Sequence, residues 1–254
     1  MVQLADFEDK KLVEKSVYEN VEKDIQERLY LLFSEAYRQG IGTIIAIEGF
    51  AASGKGALMK AITTRLDPRK VRVHSVDMEN PIYSDYPLLY QFWEKIPSYG
   101  ELTIFEGSWY KRIVQGRFEG EISTKHFSKY IRSIQNFEEM LTDDKYLLFK
   151  FFLHISKEEQ KKRFKKAKKE NKIWVISKSD LREAKYYEEI RSYYEEFIEL
   201  TNTPKTPWNI IAAKDKYFTR IHVMEKLIEE LEERLKFNSA EMLMKLKENS
   251  PREI

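Results

Sequence analysis

An apolar run, Ile44-Ile45-Ala46-Ile47, leads into Glu48-Gly49-Phe50-Ala51-Ala52-Ser53-Gly54-Lys55-Gly56. No other stretch of the chain restricts its fold as strongly. Gly49, four residues, then Gly54 and Lys55 is the spacing of a phosphate-binding loop that joins a buried strand to a helix. The backbone amides of such a loop and the start of the following helix form a preorganised anion site, to which Lys55 adds a full positive charge. Gly49, Ser53, Gly54, Lys55 and Gly56 are therefore the candidate phosphate-binding residues. The loop implies a ligand rich in phosphate and leaves its identity open.

The surrounding pattern fits a strand–loop–helix unit. Val13, Val17, Val21, Ile25, Leu29 and Leu32 recur at three- and four-residue steps and predict a helix over 12–38, stopped by Gly40 and Gly42. The β-branched run at 43–47 reads as a strand covered on both faces. A helix over 56–66 follows the loop. Further strands are predicted at 71–76, 102–105, 146–155 and 208–213, and helices at 86–95, 124–141, 157–170, 180–200 and 216–236. This alternation predicts an α/β fold with a mostly parallel sheet of about five strands and helices on both faces. Residues 237–254 read either as a surface helix fading into disorder or as the start of a linker.

Bulk properties exclude several classes of function. The 254 residues, 42% of them hydrophobic, suffice for one large α/β domain or two small ones. A net charge of +2 implies no global attraction to nucleic acid or to a membrane. The absence of cysteine excludes disulfides, thiolate metal sites and a cysteine nucleophile. His74, His126, His154 and His222 show no metal-binding spacing, and His154, at the end of an apolar strand, reads as a core residue. No apolar run approaches the ~20 residues of a membrane span, and the mixed, acidic residues 1–15 do not resemble a signal peptide. The expectation is a soluble, cytoplasmic protein.

A second segment carries chemistry: Ile104-Phe105-Glu106-Gly107-Ser108-Trp109-Tyr110-Lys111-Arg112. A strand ending in a carboxylate places Glu106 at the carboxyl end of the sheet, where open α/β sheets bind ligands. The Ser or Thr that usually follows the loop lysine and ligates magnesium is here Gly56. A metal would then rest on a carboxylate from elsewhere, and Glu106 is the candidate. Lys111 and Arg112 either clamp phosphate oxygens or lie on the surface. Residues 157–172 hold nine Lys or Arg against three acids, which reads either as a polyanion groove or as a solvated helix face. Trp109-Tyr110 and Tyr193-Tyr194 fit core or lid packing better than stacking on a nucleobase.

These segments, together with 152–164 (Phe-Leu-His-Ile-Ser-Lys-Glu-Glu-Gln-Lys-Lys-Arg-Phe) and Thr201-Asn202-Thr203 through Pro207-Trp208 to Ala213-Lys214-Asp215-Lys216 and Arg220, resemble the polyphosphate kinase 2 family in content and order. The resemblance spans about residues 10–235. It implies a three-layer α/β/α P-loop kinase-like fold, with a single domain over 1–236, a helical lid over about 110–200, and a tail at 237–254. It implies phosphoryl transfer between inorganic polyphosphate and a nucleoside mono- or diphosphate, magnesium as cofactor, and a homo-oligomer. By position, Lys55 would contact the transferring phosphate, Glu106 would stand for the family's metal-binding acid, and Arg112 and Arg117 would bring positive charge to the phosphate chain. Trp174 matches the lid tryptophan. Nucleic acid and membrane are not implied as partners.

The departures are specific. The family carries an acid where this chain has Ala51, and an arginine where it has Gly107. Each lost charged contact is worth roughly 10²–10³ in rate in a desolvated site. A catalytically degenerate domain that binds polyphosphate or nucleotide, and an ATP-dependent P-loop nucleotide kinase, are the alternative readings.

Overall fold

The computed structural model describes residues 2–7, 12–76, 86–171 and 176–249. Trp174 lies outside them. Five strands, β1 (Gly42–Gly49), β2 (Val71–Ser75), β3 (Leu102–Glu106), β4 (Tyr146–His154) and β5 (Trp208–Ala212), form one sheet in the order β2-β3-β1-β4-β5. Every pairing is parallel. All eight residues of β1 are buried, as a central strand covered on both faces requires. The helices fall into two groups. On one side α1 (Lys15–Gln39), α2 (Lys55–Thr63) and α9 (Lys216–Leu235) pack together; on the other, α4 (Trp109–Phe118), α5 (Thr124–Asp143) and α8 (Tyr187–Thr201) do so. The three-layer α/β/α arrangement is thus present.

Parallel register positions the site. Ile47 lies opposite Glu106, and Glu48 opposite Phe152. The phosphate loop and the end of β3 therefore leave the sheet side by side at its carboxyl edge.

The structure differs from the sequence expectations in four places. Residues 109–118, expected only as the start of a helical lid near 110 and not as a helix with bounds of its own, form α4, which Ser108 caps by accepting a hydrogen bond from the Tyr110 amide. The helix expected over 86–95 is only the single turn α3 (Tyr90–Trp93). The helix expected over 180–200 is two: α7 (Lys178–Lys185) starts in a Ser177–Asp180 capping box, and the chain breaks at Tyr186 (φ −106°, ψ 29°) before α8. The tail does not fade at once, because α10 (Ser239–Asn249) packs on α1 and buries Leu243. Arg28 of α1 fixes the start of α10 by donating to Ser239 Oγ (3.0 Å) and Glu232 Oε1 (3.1 Å).

The remaining helix, α6 (Lys157–Lys169), begins at Ser156, which accepts from the Glu159 amide. The core is continuous and rich in aromatic rings. It encloses a polar knot. Lys150 of β4, wholly buried, donates to Glu138 Oε2 (2.9 Å), Tyr110 OH (3.3 Å) and the Thr201 carbonyl (2.8 Å).

Candidate phosphate-binding site

Gly49 ends β1 at φ +134°, and a Cβ there would lie 2.3 Å from the Leu153 carbonyl oxygen. Only glycine fits that position. Ala52 (φ 62°) and Gly54 (φ 103°) are also left-handed, which curls the loop before α2. The Ser53 amide turns inward, donating to the Phe50 carbonyl at 3.1 Å. The amides that face outward as an anion site are then those opening α2 from Lys55 onward, because the first turn of a helix has no internal acceptors and carries the positive end of its dipole. The Ser53 hydroxyl is buried and without a hydrogen-bond partner among the described residues. That is a donor suited to a phosphate oxygen.

Lys55 folds back on its own loop. Its ammonium donates to the carbonyls of Gly49 (2.8 Å) and Phe50 (3.1 Å), using two of three protons. Burial pushes its pKa down, and the charge of Lys111 adds to this; Glu183 first, then Glu106 and Glu48, oppose it. Glu48 is buried beneath the loop. Its Oε1 accepts from the Ser108 amide (2.6 Å) and hydroxyl (2.7 Å). Burial raises the Glu48 pKa, and the Ser108 hydrogen bonds act against that rise. This carboxylate locks the loop strand to the start of α4, so the two sequence motifs form one rigid unit.

The lid meets the loop directly. Phe50, with no exposed surface, stacks on Tyr187 (4.3 Å between centroids) and meets Tyr194 edge-on. The Ala51 amide donates to Glu183 Oε1 of α7 at 2.6 Å. Gln160 Nε2 bridges the same carboxylate oxygen (3.1 Å) and the Ala51 carbonyl (3.2 Å). Arg163 staples the far side: Nη1 donates to the carbonyls of Ala52 (2.8 Å) and Ser53 (3.2 Å), Nη2 to those of Ala213 (2.7 Å) and Lys214 (2.8 Å). Glu159 orients it by accepting from Nε at 2.9 Å.

The basic stretch thus divides. Arg163 faces inward onto the loop, while Lys161, Lys162, Lys165, Lys166, Lys168 and Lys169 are exposed. Arg163→Ala is expected to weaken tripolyphosphate binding about tenfold, the effect of losing one good charge-assisted contact through loop disorder; titration calorimetry against wild type measures it.

The other candidate residues are distributed as follows. Glu106 is partly exposed at the end of β3, beside the loop. Lys111 lines a cleft under the lid with Gln115, Arg182, Glu183 and Tyr194. Its aliphatic stem runs beneath Gly107, where an added Cβ would meet Lys111 Cδ at 2.8 Å. Arg112 sits partly buried on α4. Arg117 is turned into the lid, paired with Glu196 and lying over the rings of Phe127 and Tyr193. His154 is buried, and burial with the nearby Arg191 charge pushes its pKa down to about 4. Trp109 and Tyr110 are fully buried packing residues. Sequence reasoning did not single out Glu48, Gln160 or Glu183 as site residues.

Among the described residues, no three His, Cys, Asp or Glu side chains converge to hold a metal. Magnesium does not need such a cage: it commonly takes one or two carboxylates and completes its shell with phosphate oxygens and water. Glu106, a hard oxygen donor beside the loop, fits that mode. No described helix is long and apolar enough to cross a membrane.

The chain matches the model of the family Polyphosphate kinase 2 over residues 12–239. It is 30% identical over 222 residues to a polyphosphate:AMP phosphotransferase of Pseudomonas aeruginosa, covering 87% of this chain and 45% of that protein. It is 30% identical to a putative GDP-polyphosphate phosphotransferase of Corynebacterium glutamicum, covering 85% of this chain and 68% of that one. The chain spans less than half the length of the polyphosphate:AMP phosphotransferases it matches. The crystal structure of a putative polyphosphate kinase 2 from P. aeruginosa superposes with a TM-score of 0.83 at 27% identity, over 93% of this chain and 50% of that one. That of a polyphosphate kinase 2 from Arthrobacter aurescens, at 23% identity, gives the same TM-score over 92% and 88% and shares the fold.

Proposed function

The chain belongs to the polyphosphate kinase 2 family, and from this we infer that it moves phosphoryl groups between inorganic polyphosphate and a nucleoside mono- or diphosphate. An oxygen of the acceptor's terminal phosphate attacks a phosphorus of the chain, and the bridging P–O bond on the opposite side breaks. Little covalent chemistry falls to the protein, so catalysis is positioning and charge stabilisation. The observation that carries the reading is Lys55, half-buried at the mouth of a loop whose outward amides open α2, with two of its three protons bonded among the described residues.

In this reading Gly49, Ser53, Gly54, Lys55 and Gly56 cradle phosphate oxygens. Lys111 and Arg112 flank them from α4. Arg117 serves from within the lid, holding α4 against α8 through Glu196. Glu106 would hold magnesium, whose charge screens the phosphate oxygens when it is bound. We take the protein to work in the cytoplasm and as a homo-oligomer; the family resemblance supports the second.

The test is incubation with polyphosphate, magnesium and each nucleoside mono- and diphosphate. A new nucleotide with at least one acceptor is expected. None with any acceptor, beside a working relative, would overturn the reading. The second reading, a degenerate binding domain, is favoured by apolar Ala51 and by Gly107; it predicts tripolyphosphate binding without turnover.

A further inference from the structure

Position 51 of the phosphate loop is apolar, yet a carboxylate faces it. It comes from the lid, 132 residues further along the chain. Glu183 Oε1 takes the Ala51 amide at 2.6 Å and the Gln160 amide at 3.1 Å. Among the hydrogen bonds of the described residues, both of this carboxylate's bonds fall on Oε1, and Glu183 lines a cleft together with Lys111 and Arg182.

The arm that carries Glu183 is held at both ends. Arg182 pairs with Glu119, at the end of α4, at 3.1 Å. Tyr187 donates to the Ile155 carbonyl at 2.7 Å, and its ring stacks on Phe50. Neighbouring residues of the loop therefore grip the lid in two ways, Phe50 by its ring and Ala51 by its amide. Desolvating a carboxylate is costly unless its partners are well placed, and here they are a loop amide and the charges of Lys55 and Lys111.

We propose that Glu183 is a positioning residue for phosphoryl transfer: the lid supplies to the phosphate loop, at residue 51, the acid that the loop's own sequence lacks. It holds the Ala51 amide and serves as counter-charge to Lys55, so that the loop is in register only when the lid is down. This rests on the phosphoryl-transfer reading above, but its binding and spectroscopic arms do not require turnover.

Moving the acid provides the test. Glu183→Gln and Glu183→Ala are compared with wild type, Ala51→Asp, and the double variants Ala51→Asp/Glu183→Ala and Ala51→Asp/Glu183→Gln. The single Glu183 variants are expected to lower kcat about 10²-fold, the size of effect of removing one charged group from a desolvated site. The double variants are expected to recover at least tenfold of that loss, whereas Ala51→Asp alone gains nothing. A role confined to stability would not be rescued by an acid on a different element. Independently of turnover, the Ala51 amide proton is expected far downfield in the wild-type NMR spectrum and to move upfield in Glu183→Gln. In that variant magnesium–tripolyphosphate binds more weakly by calorimetry.

Three results would overturn the proposal: unchanged kcat in Glu183→Gln, no rescue in either folded double variant, or tighter tripolyphosphate binding by Glu183→Gln. The last would make the carboxylate a stand-in anion that phosphate displaces. If wild type turns over no substrate yet the NMR and binding shifts occur, the enzymatic reading fails and the lid-to-loop contact stands.

Discussion

Replacing Lys55 with alanine is expected to lower phosphoryl transfer by about 10³-fold or more while leaving the protein folded. Lys55 is the only cation whose side chain is bonded into the loop itself, among the described hydrogen bonds of 49–56, apart from the Arg163 staple. In a site that excludes water, one such charge opposite developing negative charge is worth several kcal/mol, on the order of 3–4. Burial disfavours the ammonium, so the folded protein gives up little by losing it. Lys55→Met, which keeps the stem without the charge, is expected to be equally inactive. Steady-state kinetics beside a thermal melt checks both. Activity within tenfold of wild type in either variant would mean that the phosphates are gripped elsewhere.

The second large effect is on stability. Glu138→Ala is expected to destabilise the fold by about 3–5 kcal/mol, because it strands a buried ammonium. Glu138 holds more than Lys150. Its Oε1 accepts from Trp109 Nε1 (3.0 Å) and from the Tyr110 hydroxyl, and its Oε2 from Thr206 Oγ1 (3.1 Å) as well as Lys150. The knot ties α5 and β4 to the first two residues of α4, next to Ser108, which Glu48 holds at the loop. For a chain of this size the melting temperature should fall by roughly 10 °C. Replacing both partners by apolar groups, as in Glu138→Leu/Lys150→Met, is expected to recover a large part of the loss, since no buried charge is then left alone. A fall of under ~2 °C in Glu138→Ala would show that the knot contributes little.

The loop was legible in the sequence because its signal is local: a β-branched strand ending in a glycine, a second glycine five residues on, and a lysine opening a helix. β1, β3 and β4 were legible for a similar reason, since buried strands read as continuous apolar runs, while β2 (Val-Arg-Val-His-Ser), a mostly exposed strand at the edge of the sheet, gave only a short β-branched signal. Glu106 followed from sheet geometry, which brings the ends of β1 and β3 to one edge. What was not legible is long-range. Nothing in 178–185 announces that Glu183, rather than Asp180 or Glu188, will reach Ala51; Asp180 is taken up by the helix cap, and contacts from distant residues, Glu119 to Arg182 and Gln160 to Glu183, orient α7. Arg163 was hidden among eight other basic residues of 157–172. Glu48 stood inside the motif, but its role depends on Ser108, 60 residues away. The break at Tyr186 escaped because apolar periodicity runs on through 180–200; the bounds of α4 were not read because it opens on two aromatic residues and its cap is a single serine.

On this reading the outward amides of α2's first turn and the Lys55 ammonium grip a phosphate chain. A crystal structure of the protein soaked with tripolyphosphate and magnesium tests it most directly. Phosphate density is expected against the amides of Lys55 and Gly56, with Lys55 Nζ within hydrogen-bond distance and a cation at Glu106. Tripolyphosphate bound instead along the exposed lysines of α6, with the loop bare, would contradict it.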